Sequence, residues 1–592
     1  MENIALDIIH RWNSEEVRQK MIFAGDRPEA EGYLQAVDVI QRSYDEAAIA
    51  IAMSRLQNEF RNFLIFHTNP SSSPHHPSTT EEETKHRNGF GCFLNLRFNA
   101  STSAKRQDAV NDRKLLRFVE ITYDAIYDLR CIAERMISSG YLCHCVHVYA
   151  SVRKSAIFAN FQRLGIGDVK LPVKAKIQRW INTSTVCVRT LFASEKKLCE
   201  QIFDGVGSEI DRACFMETVK EPAIQLLNFA DATCKSPTTS PDMLFMILDL
   251  YEALSDFHDI FNFKSGESIR VTAAEVLPRL AETVRETLSL FKKTVVEDKS
   301  KDVVPGGAIH PFTTHVMNYL NFISNYKKTM NELIVSNPSL SLSTGSIFDL
   351  ELAYILDQEA GKTPFGIHLI CFIEMLQYKL KGKSKQYKDS SLSQVFMMNN
   401  NHYIFKKVEG CSELMDIIGN DYLDKLKQKF HEASENYQKA TWERVLGRLS
   451  EFFLVNESMI KTDITAFNIM FEKVRRSHGG WVIPDLQLRK ELRMSILVKL
   501  LPAYSAFIRR NSRLFQKGYL VKYLEYSLQD LEDTVLKFFE GTPVSKHSRR
   551  RYTDRVKFLA DIVSSPAQSS DEELISDSLH ATCGSVCSES SS

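Results

Sequence analysis

Apolar residues in this chain recur at steps of three and four, segment after segment, and the segments stop at glycine or proline. The pattern is plainest between residues 481 and 541. After Pro484, which suits the first position of a helix because it has no amide proton to leave unpaired, Leu488, Leu492, Ile496 and Leu500 form one stripe, with Arg489, Lys490, Arg493 and Lys499 between them. A second stripe, Leu524, Leu528, Leu531, Val535 and Phe539, halts at Gly541 with Pro543 just beyond, as helix ends do. A stripe of this period buries one face of a helix and leaves the other in water. Each such helix needs a neighbour, so a chain patterned this way throughout is a series of packed helices.

The same period runs upstream. Between residues 28 and 66, Leu34, Val37, Ile40, Tyr44, Ala48, Ile51, Leu56, Phe60 and Leu64 predict a helical pattern sustained over about ten turns. Residues 4–23 read as the first arm of a hairpin, with Gly25, Asp26, Arg27 and Pro28 as its turn. One stripe through Leu115, Phe118, Ile126, Leu129, Ile132 and Met136 ends at Gly140, and the next, Val148, Val152, Ile157, Phe161 and Leu164, ends at Gly165. That is the pattern of two antiparallel helices joined by a short turn. Pro222, Pro241 and Pro311 each precede an apolar run and read as helix starts, while residues 265–269 and 298–308 read as loops. Residues 379–404 read as a polar interruption, with Asn399, Asn400, Asn401 and His402 signalling a turn. With only 24 Gly and 17 Pro in 592 residues, turns are few and segments long. The fold class expected is all-α, an elongated rod of stacked antiparallel helical hairpins.

Two stretches depart from the pattern. Residues 67–110 open with NPSSSPHHPSTTEEETK, too polar and broken to bury a face, and residues 564–592 are Ser-rich and acidic; composition predicts a flexible linker and a disordered tail. The chain then divides into a helical arm at 1–66, the linker at 67–110, a helical rod at 111–563 and the tail at 564–592.

Lys plus Arg equals Asp plus Glu at 74 each, so global charge gives no affinity for nucleic acid, and no reader motif is present. The chain has no run of 18 uncharged apolar residues, and its opening MENIALDIIHRW lacks a basic-then-apolar signal, which together predict a soluble, cytoplasmic protein. Twelve Cys without a spaced framework read as small buried hydrophobes in a reducing compartment. Cys143 and His147 would share a helix face beside His144 and Cys145, but a structural zinc site needs four ligands and no second cluster sits at matching spacing. Phosphate-loop, dinucleotide, zinc-protease and nucleophile-elbow motifs are all missing from the sequence. The reading is a non-enzymatic protein without metal or cofactor.

Several motifs together resemble the seventy-kilodalton subunit of the exocyst, the complex that tethers secretory vesicles to the plasma membrane. They are W-V-I-P-D followed by L-R-x-E-L-R, L-P-A-Y-x-x-F, and K-Y-x-x-Y leading to D-L-E and F-F-E-G, with I-H-P-F-T-x-x-V-M-N-Y-L at 309–320 and L-F-A-S-E-K-K-L-C-x-x-I-F at 191–203. The opening M-I-F-A-G-D-R-P-E-A marks the plant type. The resemblance implies a role in exocytosis, with other exocyst subunits and a membrane containing phosphatidylinositol 4,5-bisphosphate as partners and a Rho-type small GTPase as an optional one. It places the protein in the cytoplasm, peripherally associated with the plasma membrane.

Charge asymmetry accompanies those motifs. Between residues 475 and 557 there are 18 Lys or Arg against 8 Asp or Glu, a local excess of the kind that holds a surface to anionic lipid. Arg509, Arg510, Arg513, Lys517 and Lys522 are the candidate lipid-binding residues; Lys546, Arg549, Arg550, Arg551, Arg555 and Lys557 form a second group. In the family a basic pair lies in K-Y-x-K-Y, and here Lys522 fills the first place while Glu525 stands in the second. A carboxylate there repels phosphate, which favours the rival reading, a helical scaffold recruited to membranes by a protein partner. Solvated helix faces are the plainer account of the same charges.

Overall fold

The computed structural model describes residues 2–43, 45–68, 121–163, 187–207, 209–235, 240–298, 303–335, 347–359, 361–450, 457–516, 520–542 and 552–564. Among them every regular element is a helix, apart from one antiparallel bridge between Val482 and Glu540. Residues 69–110 of the expected linker and all but Ser564 of the expected tail lie outside the described residues, as do Leu115, Phe118, Leu164, Gly165, Lys517 and, of the second basic group, Lys546, Arg549, Arg550 and Arg551; His67 and Thr68, expected in the linker, end the helix Glu46–Thr68. The chain forms two compact units, Met1–Thr294 with Tyr326–Ser336, and Val295–Asn325 with Asn337–Ser592.

The first unit contains α1 (Glu2–Asn13), α2 (Arg27–Ser43), α3 (Glu46–Thr68), α4 (Tyr123–Ser138), α5 (Leu142–Arg163), α6 (Ala193–Ile202), α7 (Ile210–Lys235), α8 (Met243–Ser255) and most of α9 (Glu267–Glu297). The long stripe expected from 28 to 66 is broken into α2 and α3. Asp45 causes the break, because its carboxylate accepts from the amides of Ala47 and Ala48, both at 3.1 Å, and so starts a new helix. The arm expected over residues 4–23 stops at Asn13. Its remainder is held as turns by a buried ion pair on α3, Arg55 to Glu59 at 2.7 Å: Arg55 donates to the carbonyls of Arg18 and Lys20, and Glu59 accepts from the amide of Ile22 at 3.0 Å. Ile22 and Phe23 are thereby buried without a helix.

Helix α4 closes as its Gly140 predicts. The glycine has φ +85°, its amide bonds to Ile137, and the amide of Tyr141 bonds to Met136 at 2.8 Å, the reversal that satisfies carbonyls left open at a helix end. Pro222 does not start a helix but lies inside α7. Cys214, Phe215 and Val219 before it and Leu226 and Leu227 after it are all buried, so packing on both sides outweighs the one backbone bond the ring removes. The loop expected at 265–269 shrinks to a 3-10 turn, Lys264–Gly266, and α9 begins at Glu267.

The second unit contains α10 (Pro311–Ser324), α11 (Ile347–Gln358), α12 (Pro364–Ser384), α13 (Ser390–Glu409), α14 (Ser412–Ile418), α15 (Asn420–Gln438), α16 (Glu457–Gly479), α17 (Leu486–Arg510), α18 (Leu528–Val535) and α19 (Tyr552–Ser564). The turn expected at Asn399 to His402 is the middle of α13, with all three asparagines buried. Their side chains reach other segments, although the Asn400 amide nitrogen also donates to Phe396 one turn back at 2.8 Å. Asn399 donates to the carbonyls of Gly307 and Val482, while Asn400 accepts from the amide of His310 at 2.9 Å and the hydroxyl of Thr313 at 2.7 Å. The interruption between α12 and α13 is real but short, residues 385–389, and ends where Asp389 caps α13.

Helix α17 buries Leu488, Leu492, Ile496 and Leu500, as the stripe predicts. The second stripe is not one helix. Only Leu528–Val535 is helical, started by a capping box between Ser527 and Asp530. Leu524 precedes it and Phe539 follows at φ +66°. Phe539 is held there by backbone bonds, donating to His478 at 3.0 Å and accepting from Ile483 at 3.1 Å.

Candidate functional site

The basic residues near the end of α17 sit where three short pieces of chain meet. Arg509 and Arg510 occupy its last exposed turn, where positive charge complements the helix dipole. Asn511 caps that turn, its side-chain amide donating to Phe507 at 2.8 Å, and the short helix Ser512–Gln516 then presents Arg513 to solvent. Lys522 is exposed on the 3-10 turn Val521–Tyr523, which is fixed by the side chain of Asn468 donating to the carbonyl of Tyr523 at 2.8 Å.

Helix α19 ties these pieces together. It buries Leu559 and Ile562, accepts a hydrogen bond from Arg509 Nε at the carbonyl of Ile562 (3.3 Å), and sends the guanidinium of Arg555 to the carbonyl of Lys522. Arg509 and Lys522, apart in sequence, thus flank one helix that itself exposes Lys557. The ring of Tyr523 has the ammonium groups of Lys522 and Lys461 each 5.3 Å from its centre, a cation–π arrangement that holds two positive charges near one another. Lys461 was not legible as part of this surface, since it lies far upstream on α16 and nothing in its spacing points to α17.

Other members of the basic excess serve packing. Arg475 and Arg476 both bond Glu472, at 2.7 and 2.8 Å, and those contacts, Arg475 foremost, pull the Glu472 carboxyl down to about 2 against desolvation. Arg493 donates to the carbonyl of Phe538 and pairs with Glu540 at 3.0 Å. Arg510 donates to the carbonyl of Leu449 at 3.1 Å. Of the predicted site residues, Arg509 and the turn carrying Lys522 are tied to α19, Arg513 is exposed on the short helix 512–516, Arg510 bonds Leu449, and Lys517 lies outside the described residues. The surface is not uniformly basic. Glu525, three residues after Lys522, is half-buried, and Asp554 and Asp561 are exposed on α19.

No group of His, Cys, Asp and Glu that could hold a metal occurs among the described residues, and none of their helices is long and apolar enough to cross a membrane. On α5, Cys143 is exposed and Cys145 is buried, and burial pushes the Cys145 thiol up to about 12.

Residues 178–537 match the family model for the C-terminal region of the Exo70 exocyst complex subunit, and residues 3–65 match that for the N-terminal region of the exocyst complex component Exo70. The chain belongs to the Exo70 family. Its relatives include the Arabidopsis thaliana exocyst complex components EXO70B1, 29% identical over 90% of this chain and 84% of that one, and EXO70A1, 30% identical over 71% and 67%. A third, EXO70C2 of the same plant, is 32% identical over 72% of this chain and 63% of its own. The crystal structure of the S. cerevisiae exocyst component Exo70p aligns with 90% of this chain and 99% of its own at 12% identity, with a TM-score of 0.42. In this Exo70 family member the matched C-terminal region ends at residue 537, so α19, with Arg555 and Lys557, lies beyond it.

Proposed function

We propose that this Exo70 family member acts in exocytosis as an exocyst subunit, helping to tether secretory vesicles to the plasma membrane through contacts with other subunits and through phosphoinositide binding at the surface around α19. What supports the lipid half is that Arg509 and the turn carrying Lys522 are both tied to α19, that Lys522 and Lys461 share the ring of Tyr523, and that Arg513 is exposed on the short helix between Arg509 and Lys522 in sequence. Each exposed basic residue at an anionic surface contributes about 1 kcal/mol, weakened by salt. The assembly half rests on family membership. The proposed partners are other exocyst subunits, a membrane containing phosphatidylinositol 4,5-bisphosphate and, optionally, a Rho-type small GTPase; nucleic acid is not among them. The chemistry is binding, not catalysis.

A second reading is favoured by Glu525. A carboxylate in the second place of the basic motif, three residues after Lys522, opposes lipid phosphate, and a surface so interrupted suits a protein-only scaffold brought to the membrane by its partners. Co-purification with exocyst subunits tests the first half of the proposal. Co-sedimentation with vesicles, with and without phosphatidylinositol 4,5-bisphosphate, separates the two readings of the second.

A further inference from the structure

We propose that the acidic segment at residues 571–577 docks on the basic surface around Arg509 and Lys522 and competes there with membrane lipid. The competition rests on the lipid-binding reading above; the docking itself does not.

Three observations carry it. The first is where the described chain ends. Helix α19 is anchored at both ends to the basic surface, Arg555 to the carbonyl of Lys522 and Arg509 to the carbonyl of Ile562, so the chain leaves Ser564 beside Arg509. The second is charge. After Lys557 the sequence has no further Lys or Arg, and residues 565–592 include Asp571, Glu572, Glu573, Asp577 and Glu589. A basic surface is thus followed in the chain by a segment of opposite charge. The third is reach. Asp571 is seven residues past Ser564, a span of up to about 25 Å at 3.3–3.6 Å per residue, whereas Arg555 and Ile562 are about 10 Å apart along α19 at 1.5 Å per residue. The carboxylates can therefore return to Arg509, Lys522, Lys461 or Lys557 without straining the chain.

Tethering makes a weak contact effective. A short linker gives an effective concentration on the order of 1 mM. If the segment binds its own surface with a dissociation constant about tenfold lower, the surface is occupied most of the time and lipid binding is weakened by about tenfold. The contact is ionic, so it fades as the Debye length falls from about 8 Å in physiological salt to about 3 Å at 1 M.

The test uses the full chain and two readouts. In the first, zero-length carbodiimide coupling at low salt, followed by peptide mapping, is expected to join carboxylates of residues 571–577 to Lys522, Lys461 or Lys557. Coupling that is absent at low salt, or that goes equally to lysines throughout the chain, overturns the docking. In the second, the full chain carrying Asp571→Asn, Glu572→Gln, Glu573→Gln and Asp577→Asn is compared with the parent on phosphatidylcholine vesicles containing phosphatidylinositol 4,5-bisphosphate. The neutralised chain is expected to bind about tenfold more tightly at low salt. Equal affinity overturns the competition. If neither chain binds the vesicles while the selective coupling persists, the lipid-binding reading has failed and the docking stands; if both bind equally and no coupling forms, the reverse is true.

Discussion

Asn399 donates its side-chain amide to the carbonyl of Val482 at 2.8 Å, joining the middle of α13 to the extended segment that leads into α17. The same nitrogen donates to Gly307 at 2.7 Å, and the amide of Val482 bonds the carbonyl of Gly306 at 2.8 Å. Gly306 and Gly307 both have positive φ, and a Cβ on Gly306 would lie 2.9 Å from the carbonyl oxygen of Gly480. Two loops distant in sequence are thus pinned to one buried side chain. Asn399→Ala leaves both carbonyls short of a buried donor, and its cost is about 1–3 kcal/mol. Denaturant unfolding measures it; a loss below a few tenths of a kcal/mol contradicts the pinning role.

The buried pair Arg153–Glu195 at 2.7 Å joins α5 to α6, and Tyr149 donates to the same carboxylate at 2.8 Å. Removing one partner strands a charge in the core. Arg153→Met is expected to cost about 3–5 kcal/mol, whereas Arg153→Met with Glu195→Leu costs clearly less than the two single changes added together. A double-mutant cycle by urea denaturation is the check, and simple additivity is the contrary result.

Two groups of the second unit, His478 and Glu472, have the strongly lowered pKa values that make stability acid-sensitive. His478 is buried against Trp481, with ring centres 3.8 Å apart, and desolvation lowers it from 6.5 to about 3. The unfolded chain takes up that proton first, so stability from the neutral ring is full above pH 6.5 and is lost as pH falls toward 3. Glu472, held down to about 2 by its hydrogen bond from Arg475, contributes stability above its ordinary 4.5 that is lost as pH falls toward 2. His478→Phe should flatten the stability profile between pH 6.5 and 3, and Glu472→Gln the profile between 4.5 and 2. Melting curves across that range distinguish them; an unchanged slope in either window refutes the corresponding assignment.

We propose that other exocyst subunits dock on residues 1–66, which is testable without deleting them. Deletion is unsuitable because α2 and α3 pack in the first unit: Arg135 of α4 pairs with Asp38 through two bonds at 2.7 and 2.8 Å, and Arg153 donates to Thr68. Ile4 is 64% exposed, and Ile65 and Phe66 are also exposed. Ile4→Asp with Ile65→Asp should reduce co-purification with exocyst subunits several-fold while leaving the melting temperature within about 2 °C, as surface changes usually do. Undiminished co-purification moves the contact elsewhere.

Helix existence was legible in the sequence because apolar period reports burial directly; Leu488, Leu492, Ile496 and Leu500 are buried as read. Apart from Pro222, which packing holds inside α7, the misreadings at Asp45 and at Asn399 to Asn401 share one cause, bonds whose partners the local sequence does not reveal. Asn399 to Asn401 resemble a turn because free asparagine side chains bond their own backbone, but here Asn399 is taken by a distant carbonyl and the Asn400 oxygen by a distant hydroxyl, while the Asn400 nitrogen bonds Phe396 within the helix. Asp45 broke a continuous stripe by capping α3, an event that apolar spacing does not register. At the site, the basic excess was visible as charge, but which members are committed to packing was not: Arg475 and Arg493 differ from Arg509 only in what the fold places beside them. Lys461 joins the surface through Tyr523 and has no signal in sequence at all.

Direct binding of phosphoinositide by the surface about α19 is tested most directly by co-sedimentation with vesicles containing phosphatidylinositol 4,5-bisphosphate. The chains to compare are the parent, Arg509→Glu with Arg513→Glu and Lys522→Glu, and Glu525→Lys. At roughly 1 kcal/mol per basic contact, the triple reversal should remove measurable binding, and Glu525→Lys should strengthen it at low salt and less at high salt. Absent binding by the parent chain, with none created by Glu525→Lys, would contradict direct lipid binding and leave the protein-only scaffold.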